Sequence, residues 1–159
     1  MLTIASPAFA PNGSLPARFT CDGDDLSPPM TWINPPVGIQ SFGVLVDDPD
    51  CPDPAAPKRT WVHWIRYNLP PETRELAEGD GNRAPPDGVR EALTDAGTRG
   101  YHGPCPPVGR HRYYFRLFAL DCTLPDLGPK GRRQDLARAM EGHVLESAVL
   151  MGTYAHPKQ

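Results

Sequence analysis

Apolar and polar residues alternate along this chain in short runs that proline, glycine and aspartate interrupt. In the run Ser41–Val46, SFGVLV, the residues Phe42, Val44, Val46 and Asp48 fall on one face of an extended backbone. In Thr60–Leu69, TWVHWIRYNL, the residues Trp61, His63, Ile65 and Tyr67 share one face, and Val62, Trp64, Arg66 and Asn68 the other. In Arg110–Leu120, His111, Tyr113, Phe115, Leu117 and Ala119 oppose Arg112, Tyr114, Arg116, Phe118 and Leu120. Each run has the two-residue period of a strand. Shorter strands are predicted near the N-terminus, over Ala17–Thr20, and from Ser27–Pro29 into Trp32, where the prolines mark a strand start or a sheet edge. Glu72–Glu78 predicts no more than a helical turn. One helical stripe stands out: Leu136, Met140, Val144, Ser147, Ala148 and Met151 predict a helix over Arg132–Met151. Gly142 lies inside it at a cost of about 1 kcal/mol relative to alanine. Thr153–Tyr154 is read as a last short strand. The pattern describes one mostly β domain over residues 1–159 with a single late helix.

Composition changes this picture mainly through proline. The 159 residues include 21 prolines and 15 glycines, placed between well-formed apolar runs, so they predict long ordered loops. The longest covers Pro70–Arg99 and continues into Gly100–Gly109, where three glycines and three prolines exclude regular structure. A net charge of -3 without any basic run speaks against nucleic-acid binding. No apolar run approaches the roughly 20 residues of a membrane span. The N-terminus lacks the basic and apolar parts of a secretion signal, so a cytoplasmic location is expected. The four cysteines, Cys21, Cys51, Cys105 and Cys122, have no zinc-type spacing. In a reducing compartment they are thiols, and a Cys21–Cys105 bridge requires an oxidising one. Cys51 and Cys105 both fall in loops, and at least one is expected to be an accessible thiol.

Candidate chemistry concentrates at three places. The apolar run before Asp47-Asp48-Pro49-Asp50 ends abruptly in carboxylates, which are costly to bury unless paired. Asp48, on the core face, belongs at the rim of the core. Turn chemistry accounts equally well for Asp48 and better for Asp47. His63 lies between aromatic residues, where a satisfied core histidine is the ordinary case. His111 and Tyr113 follow a stiff loop and point the same way, as in a small-molecule site or simply a buried strand. Acidic residues alternate in Thr20–Asp25, but the closing glutamate and flanking helices of a calcium loop are missing.

Taken together, the strand running into DPD, the WVHW strand and the GPCPPVGRHRYYF run occur in an order that resembles the phosphatidylethanolamine-binding protein family, in its bacterial Raf-kinase-inhibitor-like branch. TCDG with SPP, and AMEGHVL, resemble that branch too, and the likeness covers nearly the whole chain. Cys51 departs from it, since alanine is common after DPD. Cys51 either narrows the pocket or adds a reactive thiol. The resemblance implies an antiparallel Greek-key β fold with a large central sheet, a smaller sheet and a peripheral C-terminal helix. It implies a pocket for phosphate-like anions or phosphoethanolamine-type head groups, lined by Asp48, Asp50, Trp61, His63, Gly103, Pro104, His111 and Tyr113. In that reading the histidines donate to phosphate oxygens, Asp48 orients a histidine or meets an ammonium, Tyr113 donates its hydroxyl, and Trp61 forms a wall. The expected role is binding, with no cofactor or resident metal, and regulation of partner proteins such as kinases. Two alternatives are a hydrolase with His63 or His111 as base, against which no GxSxG nucleophile motif is present, and a metal site of Asp48, Asp50, His63 and His111. Bacterial relatives suggest a homodimer, and the apolar face of the predicted helix offers a surface for one.

Overall fold

The computed structural model describes residues 1–157. Its elements are β1 (Thr3–Ala5), β2 (Met30–Ile33), β3 (Ser41–Cys51), β4 (Arg59–Leu69), β5 (Glu75–Leu76), β6 (Arg90–Glu91), β7 (His111–Leu120), α1 (Arg133–Met140) and β8 (Val144–Tyr154). They form two antiparallel sheets, a five-stranded one in the order β6-β4-β3-β7-β8 and a three-stranded one in the order β1-β2-β5. The chain leaves β4, makes the long excursion through β5 and β6, and returns beside β3 as β7, as in a Greek key.

The alternation read from the sequence determines the layers. Phe42, Val44 and Val46 of β3, with Tyr113, Phe115, Leu117 and Ala119 of β7, turn to the side where Leu2 and, from the small sheet, Ile4, Met30 and Trp32 pack. Leu45, Val62, Ile65, Tyr67 and Leu120 turn to the opposite side, which α1 covers with Leu136 and Met140. Burying each such aliphatic or aromatic side chain contributes about 1.5–3 kcal/mol before entropy is counted.

Three local expectations give way. The predicted helix over 132–151 ends at Met140. Gly142 takes a left-handed φ of 80°, which stops a helix and turns the chain, and Val144–Tyr154 then pairs with β7 along its whole length. Leu136 and Met140 sit one helical turn apart by true periodicity, whereas Leu150, Gly152 and Tyr154 follow the strand period. Since Leu136 and Met140 are buried, α1 has no apolar face to offer a second copy. Residues 17–19 are a turn of 3-10 helix where a strand was expected. Glu75–Leu76 is a short strand on β2 where a helical turn was expected. The Cys21–Cys105 bridge that the sequence left open is formed, and Cys51 remains a free thiol.

Candidate functional site

At one end of the large sheet, between β3, β4, β7 and the loops at 21–25 and 96–107, lies a cavity of about 420 Å³. The sequence-predicted residues Asp48, Trp61, His63, Gly103, His111 and Tyr113 line it. Two others do not. The Asp50 carboxylate is taken by Arg112, whose guanidinium donates to both oxygens at 2.8 and 3.0 Å and whose backbone N–H adds a third bond at 2.9 Å. These bonds hold Asp50 below the usual carboxylate range. Pro104 acts through its carbonyl, which accepts the Cys21 N–H at 3.1 Å and fixes one loop against the other.

A β-bulge aims His63. Val46 pairs with Trp64 and Asp47 with Val62, so His63 is the extra residue on β4. The bulge breaks the predicted face: Ile65 and Tyr67 pack towards α1, and Trp61 and His63 line the cavity. His63 Nδ1 lies 2.5 Å from the His102 carbonyl. A carbonyl can only accept, so Nδ1 carries the proton and Nε2 keeps a lone pair. Burial pushes the imidazole down to about 4. At neutral pH His63 therefore offers the cavity an acceptor, not the cationic donor expected from sequence.

His111 is fully buried and surrounded by acceptors. Its Nδ1 is 2.6 Å from Asp48 Oδ2, and its Nε2 is 2.8 Å from the Val108 carbonyl and 3.1 Å from that of Pro52. The ring clamps the loops at 52 and 108 to β3 and has no nitrogen left for a ligand. Asp48 also accepts the Asp50 N–H at 2.7 Å. Desolvation nevertheless raises its pKa, against the His111 bond that lowers it. The Tyr113 ring meets the His63 ring edge-on at 5.4 Å, and burial raises its hydroxyl well above the ordinary range, so it stays a donor. The Arg59 guanidinium lies 4.8 Å from the Trp61 ring centroid, already occupying one face of that wall.

Sequence reasoning missed Asp25, Ala96, His102, Pro106 and Pro107 as parts of this wall. Asp25 accepts the Gly103 N–H at 3.0 Å, and desolvation raises its pKa. A side chain at Gly103 would collide with Asp25 Oδ1 and the Phe19 carbonyl, so only glycine permits this approach. Two carboxylates and the His63 lone pair make the cavity rich in acceptors, and no lysine or arginine lines it. The proposed metal set is dispersed, because Arg112 holds Asp50 and both His111 nitrogens are engaged.

Fold and cavity define a β-sheet ligand-binding protein whose site is built by loops at one end of the large sheet. The chain belongs to the phosphatidylethanolamine-binding protein family, whose sequence profile matches residues 5–155. A UPF0098 protein of Methanothermobacter thermautotrophicus is 45% identical over 155 residues, covering 96% of this chain and 98% of the relative. A putative phosphatidylethanolamine-binding protein homologue of Chlamydia trachomatis superposes with a TM-score of 0.87 at 38% identity, covering 97% of both chains. E. coli YbcL, described as a member of the mammalian family, superposes with a TM-score of 0.86 at 26% identity, covering 96% of this chain and 97% of that one.

Proposed function

We propose that the cavity binds a small zwitterionic head group of the phosphoethanolamine type, with the ammonium against Asp48 and Asp25 and the phosphate towards the Tyr113 hydroxyl. The observation that carries this reading is the pair of carboxylates, Asp25 and Asp48, in a cavity that no lysine or arginine lines. A bare phosphate-like anion fits less well, because it would meet those carboxylates with no lysine or arginine beside them. An ammonium reverses the sign of that interaction, and the His63 lone pair accepts a further N–H or P–O–H. Binding without turnover suits the two histidines. A ring with a pKa of about 4 is a weak base, and His111 is fully occupied. Through ligand occupancy the chain would regulate a partner protein, kinases among the candidates.

Calorimetry with phosphoethanolamine, ethanolamine and sulfate at neutral pH tests the reading. Phosphoethanolamine is expected to bind best. Asp48→Asn should weaken it by about tenfold or more, the range of a hydrogen bond to a charged group, and leave sulfate no weaker. Sulfate binding as tightly as phosphoethanolamine, with no effect of Asp48→Asn, overturns the ammonium assignment. Turnover of an aryl phosphate that His63→Gln abolishes would favour the hydrolase instead.

A further inference from the structure

At the rim of the cavity three chain segments bring soft metal ligands together. Cys21 and Cys105 close their disulfide there, and the Nε2 of His156 lies 3.9 Å from Cys105 Sγ. The ligand atoms of these three residues all fall within 4.8 Å of one another. The other ring nitrogen of His156 faces Asp22 Oδ2 at 2.7 Å, and the Tyr154 hydroxyl donates to the same oxygen at 2.5 Å. A carboxylate accepting the distal N–H of a histidine is the arrangement that fixes the tautomer and orients a metal-ligating imidazole. None of this is needed to hold a disulfide.

We propose that Cys21, Cys105 and His156, with Asp22 orienting the imidazole, form a zinc site when the disulfide is reduced. Two thiolates and an imidazole select a soft or borderline ion, and Zn²⁺ takes such sets tetrahedrally. In a site with ordinary zinc bond lengths a thiolate and an imidazole nitrogen lie roughly 3.5 Å apart, close to the separation of Cys105 and His156. The three protein ligands leave a fourth position for water.

The ligands stay together without the disulfide because other bonds hold the same loops. The Cys21 N–H donates to the Pro104 carbonyl at 3.1 Å. The Gly103 N–H donates to Asp25 at 3.0 Å, and the Tyr101 hydroxyl to the Phe19 carbonyl at 2.7 Å. Breaking the S–S bond lets the two cysteine side chains turn without freeing their backbones.

The exchange balances. An external dithiol gives two electrons and two protons to the S–S bond, leaving two protein thiols and an oxidised dithiol. Zn²⁺ then displaces the two thiol protons and accepts the Nε2 lone pair. In reverse, a disulfide oxidant takes two electrons from the thiolates, the S–S bond re-forms and Zn²⁺ leaves. The rim of the cavity thus exchanges a covalent clasp for a metal clasp according to thiol redox state.

The test uses the full-length chain in three states: oxidised, reduced with a phosphine under anaerobic conditions, and reduced with Cys122→Ser. Cys122→Ser removes the thiol of the second group of close potential ligands, Asp121, Cys122 and His143. Zn²⁺ is titrated against a competing chelator, and Co²⁺ reports thiolate ligation through its charge-transfer band. Reduced protein should bind one Zn²⁺ and show the band, in the wild type and in Cys122→Ser alike, and the oxidised chain should do neither. Asp22→Asn should weaken Zn²⁺ by about tenfold or more, as losses at such orienting carboxylates do, and His156→Ala should weaken it further. Both variants keep the disulfide, so they can be purified folded even if cysteine variants cannot. A reduced chain without the band, a band indifferent to His156→Ala, or one that Cys122→Ser abolishes would overturn the proposal.

Discussion

Asp47 and Asp48 are neighbours on β3, yet they serve opposite faces of the sheet. Asp47 is fully buried towards α1. Arg116 lies 3.1 Å from its carboxylate and Arg133, at the start of α1, 3.4 Å away. Two guanidiniums more than balance its charge, and their outer parts reach solvent. Asp48 is as deeply placed, but its one side-chain partner is an imidazole that also clamps two loops, and its surroundings open into a cavity. The difference separates architecture from recognition: a carboxylate with cations to spare is finished, whereas one beside unfilled space can still take a charged partner.

The largest expected effect probes the finished side. Replacing Arg116 and Arg133 together by alanine strands the buried Asp47 charge and should cost about 3–5 kcal/mol in denaturant unfolding, as for other broken buried pairs. Asp47→Asn should cost less, because its two partners can return to water. Equal losses would show that burial of Asp47 does not set the energy.

The cavity side should appear in the pH profile. Folding lowers the pKa of His63 from 6.5 to about 4, so the unfolded chain binds more protons between those values. Stability contributed by the neutral ring is complete above pH 6.5 and is lost as pH falls towards 4, by about 3 kcal/mol if the whole shift is realised. His63→Gln should remove that part of the acid slope, read as the difference between the two unfolding curves. Identical slopes would mean that His63 is not buried neutral.

Asp48→Asn should be gentler on stability, at about 1–2 kcal/mol, because the amide keeps an acceptor for the Asp50 N–H and loses one charge-assisted bond. A loss as large as that of the double arginine variant would erase the distinction between the two acids. His143→Ala gives the smallest effect, within about 0.5 kcal/mol, since its bond to Asp121 at 2.8 Å is half exposed. It should leave phosphoethanolamine binding unchanged.

Much of the fold was legible because β3 and β7 follow the strand period closely enough to assign a face to every side chain. The same period puts Asp48, His111 and Tyr113 on the face that lines the cavity. The failures share one cause, which is that local pattern carries no information about distant partners. The helix over 132–151 was a coincidence of spacing that Gly142 cuts, and β8 exists because β7 is there to pair with it. The bulge at His63 appears only in the register between β3 and β4. That His63 accepts where a donor was expected depends on the His102 carbonyl, 39 residues away. Asp25 carried no signal beyond its acidic neighbours, and Asp50 was misread because a carboxylate in a motif does not disclose that an arginine on another strand has claimed it.

The outer edge of β8 has a consequence for solubility. Its later half is covered by the N-terminal segment: Asn12 donates to the Met151 carbonyl at 2.7 Å, Leu15 to that of Thr153 at 2.8 Å, and Thr153 to that of Gly13 at 2.8 Å. The earlier half presents Val144, Leu145 and Val149 with substantial exposure. A strand edge that loses its covering segment becomes a template for strand addition and aggregation, the more so beside exposed apolar side chains. Residues 12–15 therefore act as a guard rail for the sheet, and a chain trimmed of its first fifteen residues would gain a sticky edge even with its cavity intact.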